Sequence, residues 1–224
     1  MPLFYQHNIN PGTKLGIWHI AEPESFFLEK VPLKKDVSHP FKRLQHLAGR
    51  WLLPLLFDDF PLEEILIADT RKPFLESERY HFSISHCGQF AAAIVSTTNR
   101  VGVDIESIRP RIGALSHKFM NEREAMLLQQ GVLPEQKASG QDGVENRTEY
   151  ELLTLVWSAK ESIFKWYGRG EMDFRRHMQL TARIGQAGDW LHMPFVFDKE
   201  DRIDLTIEAR IFGEQALTLA WVLT

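Results

Sequence analysis

Asp104 and Glu106 occupy alternate positions of the run Val101-Gly102-Val103-Asp104-Ile105-Glu106. As a strand, this run projects both carboxylates to one side, with only the bare Gly102 beside them. Such a pair suits a hard cation. Magnesium takes oxygen ligands, usually one or two protein carboxylates, and leaves its other positions to water and substrate phosphates. Glu161 and Lys165 lie four apart in a helical pattern and share a face, with Trp157 a turn earlier on the same stripe. His86, after Phe82-Ser83-Ile84-Ser85 and before Cys87-Gly88, can donate to a phosphate or cap a turn. Lys72, ahead of Pro73, and Arg43 and Arg50 are further cations for an anionic ligand. Each feature also has a plain structural reading. Asp-x-Glu can be a solvated strand end, Glu161 and Lys165 an exposed helical ion pair worth about 0.2–0.5 kcal/mol, and Lys72 part of a basic turn. Trp157, Phe164, Trp166 and Tyr167 weigh against an exposed helix, since so many aromatic rings are seldom left in water.

The elements that must position these groups follow from periodicity. Pro40 to Phe57 reads as a helix, with Phe41, Leu44, Leu47 and Ala48 on one side and Pro54 kinking or ending it. From Tyr80 the period becomes two: a strand through Ser85, a turn at Cys87-Gly88, a strand from Phe90 to Ser96, and a third from Arg100 to Glu106. In an antiparallel meander the first and third strands run the same way, which makes His86 a neighbour of Asp104 and Glu106. Leu115 to Gln130 reads as one helix, Gly131 to Thr148 as a polar, mobile loop, and Glu149 to Tyr167 as a strong helix stopped by Gly168 and Gly170. Strands are expected at Leu191 to Phe197, Ile203 to Phe212 and Ala216 to Leu223, the last two as a hairpin.

Composition narrows the class. The 224 residues are 44% hydrophobic and 25% charged, which predicts a soluble globular protein of one large or two small domains. A net charge of -4 disfavours a nucleic-acid binder, so an anionic ligand must meet a local basic cluster. The single cysteine, Cys87, excludes an intramolecular disulfide and a cysteine-based zinc site; it fits a reducing compartment, and a cytoplasmic location is expected. Met1 to Thr13 shows no export signal, and runs such as Trp51 to Phe57 fall well short of the ~20 apolar residues of a membrane helix.

In order along the chain, three segments resemble the larger, two-lobed class of 4'-phosphopantetheinyl transferases. Phe82-Ser83-Ile84-Ser85-His86 is similar to that family's strand ending in Ser-His, and Val101 to Glu106 to its acidic strand. Trp157-Ser158-Ala159-Lys160-Glu161-Ser162-Ile163-Phe164-Lys165 is similar to its helix signature. Leu47-Ala48-Gly49-Arg50 and Lys72-Pro73 are weaker matches, so the likeness runs from about Phe41 to Gly170. Arg71 stands where the family often has glycine, Cys87 where it often has serine, and Pro54 where its N-terminal helix often ends in arginine.

The resemblance implies an α+β fold with two similar lobes related by a pseudo-twofold, here residues 1–105 and 106–224. Each lobe would be a small, mainly antiparallel sheet with packed helices, with the active site in the cleft between them. It implies transfer of the 4'-phosphopantetheine of coenzyme A to a serine of an apo acyl or peptidyl carrier protein, releasing 3',5'-ADP. Carried over residue by residue, Asp104, Glu106 and Glu161 would hold magnesium (Mg2+), with manganese (Mn2+) open. Lys165 and His86, with Ser85, would contact phosphate oxygens. Lys72 and Arg43 or Arg50 would add charge, with Lys34 and Lys35 as substitutes at the 3'-phosphate. Glu161 would be the base for the serine or only a ligand. Arg109, Arg111, Lys118 and Phe119 are candidates for docking the acidic carrier. By analogy of length the protein would act as a monomer, with no nucleic-acid or membrane partner. Two alternatives stay open: a noncatalytic module that binds a carrier or coenzyme A, and a metal-dependent nucleotide diphosphate phosphodiesterase.

Overall fold

A computed structural model describes residues 2–33, 37–134 and 148–224. In chain order the elements are β1 (Leu3–Asn10), β2 (Thr13–His19), α1 (Glu24–Leu28), α2 (Pro40–Leu56), β3 (Leu66–Ile67), β4 (Pro73–Phe74), β5 (His81–Cys87), β6 (Phe90–Ser96) and β7 (Val101–Ser107). There follow α3 (Arg111–Phe119), α4 (Glu122–Gln129), β8 (Leu133–Pro134), α5 (Glu149–Tyr167), β9 (Met178–Leu180), β10 (Gly185–Ala187), β11 (Trp190–Asp198), β12 (Arg202–Phe212) and β13 (Leu217–Leu223). The architecture is α+β, with mainly antiparallel sheets. The chain divides into two compact units, Met1–Ile105 with Lys165–Gly170 and Leu223–Thr224, and Glu106–Phe164 with Glu171–Val222. Among the described residues, no helix is long and apolar enough to cross a membrane. The expected loop falls largely on residues 135–147, and Lys34 and Lys35 on residues 34–36; both stretches lie outside the described residues.

In the first unit the sheet order is β1-β2-β6-β5, antiparallel throughout. Helix α2 lays Leu47, Leu52, Leu53 and Leu56 into one core with Trp18, Phe82, Ala91, Ala93 and Val95. Small residues set how close the layers come. A Cβ on Gly49 would lie 2.5 Å from Ile84 Cγ2, so glycine is what lets the helix reach β5. Pro54 does not end α2, which runs on to Leu56. Near a C-terminus the ring removes only the donor for the Arg50 carbonyl.

The expected three-stranded meander is corrected to a hairpin of β5 and β6 with β7 outside that sheet. Ser83 and Ser85 project from the face of β5 opposite Phe82. Their hydroxyls accept the N–H groups of Val103, at 3.1 Å, and Ile105, at 3.3 Å. Side chains thus replace a backbone ladder.

In the second unit β13, β12, β11, β10 and β8 are neighbours in that order, with β9 paired to β11. Alternation along β11 buries Leu191, Met193, Phe195 and Phe197, and β12 and β13 form the expected hairpin. Helix α5 bonds to this sheet through Ser158 and Thr218, Oγ to Oγ1 at 2.8 Å. The single helix expected over Leu115 to Gln130 is broken into α3 and α4, because Asn121 and Glu124 form a capping box that starts α4 afresh.

That same Glu124 meets Lys160 across 2.7 Å, both side chains wholly inaccessible to water. The pair survives burial because every group around it is used. Lys160 also donates to the Phe119 and Phe174 carbonyls at 2.5 and 3.0 Å, while Glu124 accepts the Asn121 and Leu180 N–H groups, each at 2.9 Å. Burial still lowers the Lys160 pKa, with Glu124 opposing the shift. Lys160→Met strands the carboxylate without a cation, and a loss of about 3–5 kcal/mol is expected in urea unfolding. Adding Glu124→Gln should restore part of that loss; a single variant as stable as the wild type would refute this account.

Candidate active site

Asp104 is 4% exposed and belongs to the first unit. Its Oδ1 accepts the Ser85 hydroxyl at 2.8 Å and the Lys165 ammonium at 2.7 Å, and Lys165 also donates to Ser85 Oγ at 2.7 Å. Three elements close this triangle: the end of β5, the middle of β7 and the last turn of α5. The serine and the aspartate are buried, while Lys165 keeps a quarter of its side chain in solvent. Asp104 Oδ2 is equally buried and has no hydrogen-bond partner among the described residues. A carboxylate oxygen so placed lacks the donor or cation that offsets its desolvation.

That oxygen is what a cation would use. A carboxylate oxygen is a hard donor of the type that magnesium prefers, and Lys165 already supplies positive charge to the other oxygen. Among the described residues, no three His, Cys, Asp or Glu side chains are grouped as a metal cage. Asp104 Oδ2 offers one such hard donor, which fits an ion that keeps most of its shell for water and phosphate. Glu106 and Glu161 belong to the second unit, where both are half-buried, and Glu161 stands one turn before Lys165 on α5.

His86 is exposed at the end of β5. Desolvation, then the Lys165 ammonium, lowers its pKa from the ordinary 6.5, so the ring is largely neutral at pH 7. The turn that follows is pinned by buried Gln45, whose Nε2 donates to the Gly88 carbonyl at 2.8 Å. His86 also lines a cleft of about 340 Å³ within the first unit, together with His46, Arg50, Arg71, Ile84 and Pro73. Arg50 Nη1 lies 3.1 Å from His46 Nδ1. Burial lowers the Arg50 pKa, yet a guanidinium keeps its charge and is weakly hydrated, which suits it to bind an anion.

Other expected residues are placed differently. Arg43 is turned to Glu24 at 2.9 Å and to the Val37 carbonyl at 3.0 Å. Lys72, expected at a phosphate, donates to the Trp166 carbonyl at 3.2 Å, because it lies beside the exposed carbonyls of a helix end. Phe119 is not a docking residue: it is 1% exposed and packs on Trp157 with ring centroids 5.2 Å apart. Arg109, Arg111 and Lys118 are exposed. Thr70, Arg100 and Gln45 donate to the carbonyls of Gly168, Tyr167 and Gly88, structural roles that their sequence context did not signal. Arg100 read only as the start of a strand.

The sequence is also similar to known proteins. A family model described as the 4'-phosphopantetheinyl transferase superfamily matches residues 100–220. The chain is 33% identical over 137 residues to the 4'-phosphopantetheinyl transferase AcpT of Escherichia coli (strain K12), covering 61% of this chain and 64% of that protein. It is 34% identical over 127 residues to enterobactin synthase component D of Salmonella typhi, covering 55% of this chain and 47% of the relative. In both matches the chain spans less than two thirds of the relative's length.

Because the folded pKa of His86 lies below its ordinary 6.5, the unfolded chain takes up this proton first as pH falls. The stability linked to this group is present above about 6.5 and is lost as pH drops through the folded pKa. His86→Gln should lose less thermal stability than the wild type between pH 7.5 and 5.5, as read by the melting temperature at each pH. Parallel losses in the two proteins would contradict this assignment.

Proposed function

We propose, from the premise that the chain belongs to the 4'-phosphopantetheinyl transferase superfamily, that it moves the 4'-phosphopantetheine of coenzyme A onto a serine of an apo acyl or peptidyl carrier protein. The reaction is of the holo-[acyl-carrier-protein] synthase type and releases 3',5'-ADP. The observation that carries this reading is the buried Asp104 carboxylate, bonded on Oδ1 by Ser85 and Lys165 and, among the described residues, unpartnered on Oδ2.

In this reading Asp104, Glu106 and Glu161 would hold magnesium, or manganese on the same donors. A cation bound there would supply positive charge to the coenzyme A diphosphate and steady the leaving phosphate. The chain's own residues do the rest. Lys165, at the solvent edge of the triangle, offers its ammonium to a phosphate oxygen, and neutral His86 can donate one ring N–H to another. Arg50 holds charge in the adjoining cleft for a further phosphate. The serine Oγ forms a bond to the β-phosphorus as the bond to the 3',5'-ADP oxygen breaks. Glu161 takes the serine proton, directly or through one water. Arg111 and Lys118, exposed on α3 beside Leu115, offer a basic and apolar surface to an acidic carrier. A cytoplasmic, monomeric enzyme without nucleic-acid or membrane partners completes the reading; the lone Cys87 and the net charge of -4 support the compartment and the absence of a polyanion partner. The two similar lobes and their pseudo-twofold belong to the same reading.

Intact-mass spectrometry of an apo carrier incubated with the protein, coenzyme A and magnesium tests it. The expected gain is one phosphopantetheine arm, abolished by EDTA and by Asp104→Ala. No gain with several carriers, despite binding of coenzyme A, would leave a noncatalytic module. Glu161→Gln should lower turnover by about 10²–10⁴-fold with metal affinity measured separately, and preserved turnover would remove the base role.

A further inference from the structure

A helix ends in carbonyls without intrahelical partners and at the negative pole of its dipole. The end of α5 is closed from outside by side chains of the first unit. Lys72 Nζ donates to the Trp166 carbonyl at 3.2 Å, Arg100 Nη2 to the Tyr167 carbonyl, and Thr70 Oγ1 to the Gly168 carbonyl at 2.9 Å. Two of the three are cations, the charge this pole favours. The Lys72 stem runs directly over Gly168, which has φ +70°; a Cβ there would lie 2.3 Å from Lys72 Cδ. Glycine therefore serves both the left-handed turn and the close approach.

The adjoining residue is held by its ring as well. The Arg100 guanidinium lies 5.2 Å from the centre of the Trp166 ring, and Trp166 Nε1 donates to Thr224 Oγ1 at 3.0 Å. Thr224 and Arg100 exchange backbone hydrogen bonds at 3.0 and 3.1 Å, which ties the chain's last residue to the start of β7. Trp166 is thus fixed through both its carbonyl and its indole, and Lys165 is the residue before it.

We propose that Lys72 is a positioning residue for Lys165: by fixing the C-terminal turn of α5 it sets where the Lys165 ammonium meets Asp104 and Ser85. The inference rests on the reading of Lys165 as the group that contacts phosphate. Lys165 reaches Asp104 Oδ1 at 2.7 Å, so a drift of the helix end by about 1 Å would break this contact. Misplacement of that size can cost about 10²-fold in rate. Lys72 then acts on turnover through the helix rather than on the affinity for coenzyme A.

Kinetics of Lys72→Met, Lys72→Arg and Thr70→Val, with coenzyme A varied at saturating apo carrier, test the proposal, each variant first shown to melt cooperatively. Lys72→Gln replaces Lys72→Met if the latter does not fold. Lys72→Met should lower kcat at least about tenfold and change KM for coenzyme A by less than about threefold. Lys72→Arg should recover most of kcat, and Thr70→Val should lower it by a smaller factor. In the protein without coenzyme A or metal, the 15N signal of Lys165 Nζ, assigned with Lys165→Arg, should shift in Lys72→Met and stay near its wild-type position in Lys72→Arg. A raised KM with unchanged kcat would make Lys72 a phosphate contact and overturn the proposal, as would an unmoved Lys165 signal in folded Lys72→Met. If the wild type transfers no arm, the enzymatic reading falls, while the NMR comparison still decides the positioning role.

Discussion

A carboxylate that is 4% exposed has to be compensated, and among the described residues Asp104 is compensated on one oxygen only. Much of the first unit can be traced to that constraint. Ser85 must stand on the face of β5 away from the α2 core to reach Asp104, and the same face lets Ser83 and Ser85 bond to β7 amides. The hydroxyl of Ser85, which also accepts from Lys165, therefore serves both strand and site. It accepts the Ile105 N–H, which places β7, and it donates to the carboxylate that β7 carries. Position and charge are set by one atom.

Helix α5 carries two lysines with opposite fates, Lys160 and Lys165. Five residues of helix turn a side chain by about 140°, so the two ammonium groups leave on different sides. Lys160 is sealed against Glu124 and two carbonyls, with all three of its protons engaged inside the second unit. Lys165 shares its protons with Asp104 and Ser85 and retains contact with water. Only the second can exchange a protein partner for a ligand at small cost. The neighbouring lysine fixes the helix against α4 and the Phe174 segment, and so contributes rigidity rather than chemistry.

Long periodic segments were legible in the sequence: α5 runs from Glu149 to Tyr167 and β6 from Phe90 to Ser96, the bounds their patterns predict. Ser85, Asp104 and Lys165 were each marked by their motifs, but the strand argument paired His86 with Asp104 and Glu106, and the bonds that join Ser85, Asp104 and Lys165 went unread. The meander was misread, since period two reveals which face a residue takes but not whether the next strand pairs by backbone or by side chain. The β1 and β2 hairpin went unread because β1 alternates half-buried and exposed residues, several of them polar, such as Gln6 and Asn8. Lys160 was read only as part of a motif, because nothing local announces Glu124 as its partner. The helix end closed by Thr70, Lys72 and Arg100 was invisible for the same reason: its acceptors are backbone carbonyls, which carry no residue identity.

Arg71 holds a backbone conformation that its residue type does not favour. The family often has glycine there, and Arg71 holds φ +67°, a region that glycine enters freely and other residues at a cost of about 1–2 kcal/mol. The backbone around it is fixed on both sides, Arg71 N–H to the Ala68 carbonyl at 2.8 Å and Ala68 N–H to the Lys72 carbonyl at 2.9 Å. This tight turn delivers the next residue, Lys72, to the end of α5. Relaxing Arg71 to an ordinary φ would break the turn and carry Lys72 away from Trp166. The strain therefore persists because the hydrogen bonds on both sides over-determine the turn.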